Sequence, residues 1–417
     1  MSTIPKLALI PSGVKASKVY SVLPTDGTGD FTFSRAGAAT RVNSEGLIEE
    51  VLTNVPRLNY PMIDGVVSGC PSLLLEPERR NLFTHSEDFS IYVKNNVTVT
   101  SNSTISPKGD LTADLITEDL TLNTHRVYLG SGVNVVSDSS YSVSFFAKNN
   151  GANNITVTAG NFGELPINTT FDLVNGVVLS SISSSTIEKI GDYYYCTITA
   201  TSSTTRNQLI LFNINRLNIT NPFSYQGDGN SGVYIWGAQV EAGSYATSYI
   251  PTQGSQVTRV ADACNGAGNS QVINSTEGVL YVETKGFIDV PSDSGYIQLS
   301  KNGEASFNNS LVLQHRNNGY LRIYVNGSAT ADIHFNENID FTENHKIAVL
   351  YKLNGYKLFI DGVAKSLYLT PTQAVFSGLD NLSFDLRGSL GWSGNIKEAK
   401  LYNTALTDAE LQALTTL

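Results

Sequence analysis

The amino-acid sequence predicts an all-β protein, with a small N-terminal β leader followed by two β-sandwich (jelly-roll) domains. Charged residues make up only 15% of the 417 residues, whereas the chain contains 35 glycines and 20 tyrosines, as is typical of strands joined by many turns. Apolar and polar residues alternate in short runs, which favours half-buried strands. Asn-Gly and Asp-Gly pairs recur between these runs and indicate tight hairpins. The sequence has no heptad pattern, so no coiled coil is predicted.

Residues 1–80 form the predicted leader, a unit of short strands. Asp26-Gly27 indicates a turn, and the alternation around Phe31 and Phe33 indicates a strand after it. The leader has too few apolar residues for a core of its own. We therefore expect it to pack on a neighbouring domain or on another subunit.

Residues 81–250 form the first predicted sandwich. The run 140–147 alternates apolar and polar side chains, which predicts a strand with one face in a core. Asn175-Gly176 separates two strand-like runs and predicts a two-residue hairpin, because both residues tolerate positive φ.

The last strand of this domain carries four apolar residues at alternate positions: Tyr234, Trp236, Ala238 and Val240. Their spacing predicts that they share one face and that this face lies in the core. Gly237 lies on the opposite face, where the lack of a side chain would let another backbone come close.

Residues 251–275 are a polar connector, and residues 276–417 form the second predicted sandwich, with Trp392 expected in its core. Its hairpin markers are Asn302-Gly303, Asn318-Gly319, Asn326-Gly327, Asn354-Gly355 and Asp361-Gly362. Thr407 and Glu410 have the spacing of a capping box, which predicts a short helix near the end of the chain.

Two phrases of the sequence resemble a known module. Cys70–Phe83 and Gly232–Glu241 resemble the opening and closing phrases of a carbohydrate-binding-module-like β-sandwich that recurs in tailed-bacteriophage virion proteins. The hairpin at Tyr351–Gly362 and the strand at Gly391–Asn403 resemble the laminin-G/concanavalin-like jelly roll. These resemblances indicate folds and say less about the ligand.

The resemblance implies a non-enzymatic virion structural protein on the particle surface: a tail or head fibre, an appendage or a decoration protein. Such a protein is expected to adhere to host-surface glycans, to contact other virion proteins and to form a homotrimer. Residues 1–80 would then make inter-subunit or virion-docking contacts. Two alternatives remain, a purely architectural virion protein without glycan binding and a glycan-cleaving enzyme.

The composition argues against several classes of partner. The formal net charge is −10 and no basic block occurs, so neither nucleic acid nor an anionic membrane surface is an expected partner. No apolar run approaches the ~20 residues of a membrane span. The start, Met1–Ile10, is too short and too interrupted by prolines for a signal peptide, so we expect synthesis in the host cytoplasm.

The three cysteines are far apart in the sequence. Cys70, Cys196 and Cys264 form no Cys-x-x-Cys pair, and their odd number argues against a closed disulfide framework. We interpret them as reduced thiols in mostly buried places, without a zinc or redox role.

No recognisable catalytic string is present, so the protein is not expected to be an enzyme. Glycan hydrolysis needs two carboxylates held about 5 to 10 Å apart, which some jelly-roll enzymes place in a Glu-x-Asp-x-x-Glu strand. The chain lacks that string. Its nearest acidic cluster, Glu283, Asp289 and Asp293, is interpreted as solvated acids. None of the five histidines lies beside a nucleophile-elbow string.

Two groups of residues are candidate binding sites. Tyr193, Tyr194 and Tyr195 lie in one predicted strand, so at least one ring should face outward, where it could stack on a sugar. The alternative is that these rings fill the core. Asp228 and Asn230 lie on a glycine-rich loop and offer oxygen ligands for a structural calcium, or else form an ordinary turn. No other cofactor is expected.

Overall fold

The computed structural model describes residues 4–159, 165–216, 224–287, 295–303, 309–315, 320–326, 333–353, 355–365, 376–385 and 391–417. In the described structure strands account for 53% and helix for 3%, so the predicted all-β fold is confirmed. In these ranges, no helix has the length and apolar character needed to cross a bilayer.

The strands are short before residue 82 and longer after it. The first group is β1 (Leu7–Leu9), β2 (Val14–Lys15), β3 (Lys18–Val19), β4 (Phe31–Ser34), β5 (Ala39–Val42), β6 (Ile48–Val51), β7 (Arg57–Asn59), β8 (Met62–Ile63), β9 (Val66–Val67), β10 (Ser72–Leu75) and β11 (Arg79–Asn81). A 3-10 helix at Phe89–Ile91 follows.

The second group is β12 (Val93–Asn95), β13 (Val97–Thr104), β14 (Ala113–Glu118), β15 (Leu122–Asn123), β16 (Arg126–Tyr128), β17 (Val133–Val135), β18 (Ser140–Asn150), β19 (Asn154–Ala159), β20 (Asn168–Asp172), β21 (Val177–Ser181), β22 (Ser184–Ile190), β23 (Tyr193–Thr201), β24 (Arg206–Gln208), β25 (Ile210–Asn215), β26 (Tyr225–Gln226) and β27 (Gly232–Ala242).

The third group is β28 (Val257–Arg259), β29 (Ala263–Asn265), β30 (Glu277–Gly286), β31 (Tyr296–Ser300), β32 (Ser310–His315), β33 (Tyr320–Asn326), β34 (Ile333–Asn338), β35 (His345–Lys352), β36 (Lys357–Ile360), β37 (Val363–Lys365), β38 (Asn381–Ser383), β39 (Gly394–Tyr402) and helix α1 (Asp408–Thr415).

The middle of the chain forms a sandwich of two antiparallel sheets. Their strand orders are β12-β16-β25-β19-β20-β21 and β13-β14-β27-β18-β23-β22. The predicted hairpin joins β20 to β21, but its loop has the four residues 173–176 and not two, and of the Asn-Gly pair Gly176 alone has positive φ, at 67°. Phe145 anchors the core between the sheets, with its ring centroid 5.9 Å from that of Phe171 and 5.2 Å from that of Phe212.

A bulge at Gly237 changes which residues of β27 share a face. Gly237 has φ 65°, and the pairing of β27 with β18 shifts register beside Phe146. Ala238 and Val240 therefore lie in the core between the sheets, whereas Trp236 packs against Phe146 on the opposite face. The prediction that these alternate residues share one face is wrong because the bulge inserts one extra residue into β27, which reverses the alternation of its side chains. Trp236 is nevertheless fully buried, as predicted.

The C-terminal strands form a second pair of sheets. One has the order β37-β36-β35-β30-β39-β10-β7, with β1 also paired to β39, and the other has the order β34-β33-β32-β31-β38. Leu280 and Leu311 meet between them, and Trp392 is buried in the same core, as predicted. The predicted capping box is also present, because Thr407 and Glu410 satisfy each other's backbone N–H groups at the start of α1.

Strands from the N-terminal 80 residues complete this C-terminal sheet. β1 pairs with β39 in the register Leu7 to Leu401, and β10 pairs with the same strand in the register Leu73 to Ile396. Leu7 and Leu73 are fully buried in the core that the C-terminal strands build. The leader therefore packs on the C-terminal sandwich, while the domain boundaries at residues 80, 250 and 275 stay a prediction.

His315 is a buried base in the C-terminal core. It is 1% exposed, and in the described part of the chain neither of its ring nitrogens has a hydrogen-bond partner. Its ring centroid lies 4.1 Å from that of Phe341 and 6.1 Å from that of Trp392. Burial among these groups lowers the pKa of His315 to about 4, so the imidazole is neutral at pH 7.

A buried charge network joins the two phrases that resemble the phage module. Glu76 of the first phrase lies 2.5 Å from Nη1 of Arg57 and 3.0 Å from Nη1 of Arg259, measured from Oε2. Glu76 also accepts hydrogen bonds from the backbone N–H and Oγ of Ser248, which follows the second phrase. Asp262 is the second carboxylate and binds Arg57. Burial alone would raise the pKa of Glu76, but the two guanidinium groups outweigh it and lower the pKa to about 2.

All three cysteines carry free thiols. Cys196 and Cys264 are buried as expected, whereas Cys70 is exposed because it lies in the loop between β9 and β10. The interpretation of mostly buried cysteines therefore holds for two of the three.

Candidate functional site

The tyrosine triplet of β23 is divided between the two faces of its sheet. Tyr193 is buried on the outer face, where its hydroxyl donates a 2.8 Å hydrogen bond to the carbonyl of Ile105. Tyr194 turns inward and packs against the sandwich core. Tyr195 is half-buried on the outer face, with its ring centroid 4.7 Å from that of Phe146. Of the three candidate rings, Tyr195 is the one that faces an open space.

That space is a cleft of 570 Å³ between three parts of the chain. The N-terminal strands form one side, the outer face of the middle sandwich forms the second, and the C-terminal sheet with its loops forms the third. Its lining includes Arg41, Asn59, Tyr60, Met62, Cys70, Ser72 and Glu76, then Phe146, Glu188, Ile190, Tyr195, Ser248 and Tyr249, and finally Lys285, Phe287, Asn344, Asn395 and Lys397.

Aromatic rings support Tyr195 from beneath. The ring of Phe146 lies 5.5 Å from that of Trp236, which in turn lies 4.5 Å from that of Tyr249. The indole N–H of Trp236 donates a 3.1 Å hydrogen bond to Oγ1 of Thr112, which fixes the orientation of this row of rings. Burial raises the pKa of Tyr195, and its hydroxyl stays protonated at neutral pH. The cleft is thus lined by the ring of Tyr195, whose hydroxyl is hydrogen-bonded with Ser144.

Two amide side chains from distant strands converge on the same cleft. Oδ1 of Asn59 accepts the backbone N–H of Val42 at 2.8 Å, and Oδ1 of Asn395 accepts Oγ of Ser72 at 2.8 Å. These bonds fix the orientation of both amides. Within the described ranges, Nδ2 of neither has an acceptor, so both can donate to a ligand. No local motif signals them, because they lie on β7 and β39 and meet only in the folded chain.

Two lysines, Lys285 and Lys397, lie on the third side of the cleft. Nζ of Lys397 lies 2.6 Å from Oε1 of Glu283, the first residue of the acidic cluster considered from the sequence. Glu283 is largely buried, so the interpretation of it as a solvated acid is wrong. The neighbouring carboxylate of Glu398 pairs with Lys400 at 2.7 Å. Each of these carboxylates thus serves as the partner of a lysine.

The candidate calcium loop is shaped by hydrogen bonds to Asp228. Its Oδ1 accepts the backbone N–H groups of Asn230 at 2.8 Å and Ser231 at 2.7 Å. The N–H of Ser231 is the main cause that lowers the pKa of Asp228. Nε of Arg216 lies 3.8 Å from Oδ2 of Asp228 and 2.9 Å from Oε1 of Glu118.

This donor set does not require a calcium ion, because Arg216 already brings a positive charge to both carboxylates. In the ranges that the structure describes, no three His, Cys, Asp or Glu side chains are grouped so that they could hold a metal. Calcium binding by Asp228 and Asn230 stays a prediction.

The C-terminal part matches a known family. The family model described as "Concanavalin A-like lectin/glucanases superfamily" matches residues 287–412, which is less than a third of the chain. Among solved structures, Trypanosoma rangeli sialidase in complex with the inhibitor DANA is 11% identical, with a TM-score of 0.29, over 97% of this chain and 83% of the sialidase. The same sialidase in complex with sialic acid gives 11% and 0.27 over the same shares. TM-scores this low do not show that the chain and the sialidase share a fold. No curated protein matches the chain.

The matched range contains strands β31 to β39 and the start of α1, in the two facing antiparallel sheets described above. Its core contains Trp392 together with apolar side chains of the N-terminal strands. The C-terminal sandwich is therefore a concanavalin A-like jelly roll, the fold of lectins and glucanases.

Proposed function

We propose that the protein is a non-enzymatic structural protein of a bacteriophage particle and binds host-surface glycans through the cleft around Tyr195. Its place would be the virion surface, as a tail or head fibre, an appendage or a decoration protein in contact with other virion proteins. The resemblance of the phrases at residues 70–83 and 232–241 to virion proteins supports this role. The lectin-like fold of residues 287–412 supports carbohydrate binding.

The cleft is the observation that carries the proposed binding. A sugar ring has an apolar face of C–H groups and a rim of hydroxyls. Tyr195 offers a ring for the face, and Asn59 and Asn395 offer oriented amide donors for the rim. Few such groups are needed, since ligand sites combine apolar surface with a small number of placed polar atoms.

Oligomerisation would strengthen this binding. A cleft of 570 Å³ holds only a few sugar rings, so each site alone should bind weakly. In a homotrimer, the form proposed here, the three sites would act together on a surface glycan and raise the avidity. Residues 1–80 are proposed to make inter-subunit or virion-docking contacts with the surface that they do not bury in the C-terminal sheet.

A glycan array with the full chain tests the proposal. Tyr195→Leu removes the stacking ring but keeps apolar volume, and it should weaken binding by about 1 kcal/mol, roughly fivefold. The matched control is Tyr128→Leu, since Tyr128 is a half-buried tyrosine on β16 of the other sheet and does not line the cleft. Equal loss in both variants would contradict the cleft as the site. The absence of any bound glycan would favour the architectural alternative.

The enzyme alternative has its own test. Asp289 and Asp293 lie outside the described residues, and Glu283 is paired with Lys397. Incubation of the protein with host polysaccharide, followed by sizing of the polysaccharide, should show that the length of the polysaccharide is unchanged. If the wild-type protein shortens the polysaccharide and Glu283→Gln does not, the protein is a glycan-cleaving enzyme and the proposal of a non-enzymatic adhesin is wrong.

A further inference from the structure

A lysine and an amide of the C-terminal sheet lie side by side in the cleft around Tyr195. Lys285 of β30 is directly opposite Asn395 of β39 in the antiparallel pairing of these strands, so both side chains leave the sheet on the same face. Oδ1 of Asn395 already accepts the hydroxyl of Ser72 at 2.8 Å, which leaves Nδ2 of this amide to donate to a ligand. This part of the cleft therefore presents a positive charge beside a neutral donor.

Lys285 has no carboxylate partner in the ranges that the structure describes. Its side chain is exposed in the cleft, whereas the ammonium group of the neighbouring Lys397 is paired with Glu283 at 2.6 Å. Hydrogen bonds from Thr342 are the main cause that lowers the pKa of Asp340, and the charge of Lys285 adds less than they do. Lys285 is thus available to hold a negative group of a ligand.

No other charged group that lines the cleft forms an ion pair with Lys285 within the described ranges. Arg41 is paired with Glu49 at 2.8 Å, and the buried Glu76 lies between two guanidinium groups. Glu188 of β22 is exposed and lies on the side that the middle sandwich forms, not on the C-terminal sheet. The cleft therefore has its unpaired cation and its exposed carboxylate on different sides.

We infer that the glycan bound in this cleft is acidic, with the carboxylate of a uronic acid held by Nζ of Lys285 and Nδ2 of Asn395. An ionised carboxylate has two oxygens that only accept, so it matches a cation and a neutral donor placed side by side. Hydrogen bonds to a charged group are stronger than those to a neutral one, and the hydroxyls of a neutral sugar do not supply this charge. Glu188, on the other side, accepts sugar hydroxyls. The inference rests on the proposed function, because it names the class of sugar for the same cleft.

Binding of the full chain to matched pairs of oligosaccharides tests the charge requirement. Each pair is an oligosaccharide of galacturonic or glucuronic acid and its methyl ester, which keeps the rings but lacks the negative charge. The acid should bind about fivefold more tightly than the ester, and the preference should shrink as salt is added.

Variants of exposed residues locate the charge that the acid requires. Lys285→Gln should remove the preference for the acid and leave the affinity for the ester unchanged. The matched control is Lys352→Gln, which removes the same charge from an exposed position of the same sheet outside the cleft and should keep the preference. Glu188→Gln should keep or increase the preference, since it removes a negative charge from the cleft.

Tyr195→Leu separates this inference from the proposed function, because it should weaken the binding of acid and ester equally. Three outcomes would overturn the acidic ligand but not the glycan site: equal binding of acid and ester, binding of neutral glycans alone, or a preference that Lys285→Gln leaves intact. If the chain binds no glycan at all, both the inference and the proposed function are wrong.

Discussion

Replacing His315 should remove a pH-dependent part of the free energy of unfolding. The folded pKa is about 4 against an ordinary value of 6.5. Between these values the unfolded chain binds a proton that the folded chain does not, so stability is complete above pH 6.5 and falls as the pH drops towards 4. The linkage relation gives a loss of about 2 kcal/mol from about pH 7 to about pH 5, and of about 3 kcal/mol at about pH 4. His315→Phe lacks the titrating group. Its loss of unfolding free energy between about pH 7 and the lower pH should therefore be smaller than that of the wild type by these amounts.

Urea unfolding at several pH values measures this difference. The control is Leu382→Ala, in the same core, which should lower the free energy of unfolding at every pH and keep the wild-type dependence. The comparison rests on slopes, so any loss of packing in His315→Phe cancels. Parallel curves for the wild type and His315→Phe would show that His315 does not titrate as its buried position requires.

Three further predictions concern the buried residues and the calcium loop. Glu76→Gln should lower the free energy of unfolding by ~3–5 kcal/mol in urea titrations, because it removes the buried carboxylate that pairs with Arg259 and leaves Arg57 with Asp262 alone. Glu49→Gln, at a partly exposed ion pair, should cost less than ~1 kcal/mol, and similar costs for both would contradict the network. Trp236→Ala should cost ~3–5 kcal/mol by the same assay, and a variant that melts with the wild type would refute its packing. EDTA should leave the melting temperature unchanged because the N–H groups of Asn230 and Ser231 already hold the carboxylate of Asp228, whereas a calcium-dependent rise that Asp228→Asn removes would establish the calcium site.

The sequence predicted best the features that one short segment determines. Asn175-Gly176 predicted where the hairpin between β20 and β21 lies, because the loop needs a positive φ that Gly176 supplies, but the loop has four residues and not the predicted two. Thr407 and Glu410 predicted the start of α1 because both halves of the capping box lie within one turn.

Features that depend on distant partners were not predictable in the same way. The direction of Trp236 follows from a register shift between β27 and β18, which the alternation of β27 alone does not reveal. The cleft was missed because Tyr195, Asn59 and Asn395 come from three segments that meet only after folding. The triplet motif could supply Tyr195 as one of three candidates, but it could not say which ring is left open.

The pairing of β1 with β39 has a consequence for how the chain is made. Leu7 pairs with Leu401, so β1 leaves the ribosome long before the strand with which it pairs, and the sheet can close only after β39 has been made. Contacts between such distant residues form slowly, and the apolar side chains of Leu7 and Leu73 stay uncovered during that wait. A nascent or truncated chain without β39 would carry this open edge and be a substrate for chaperones and proteases.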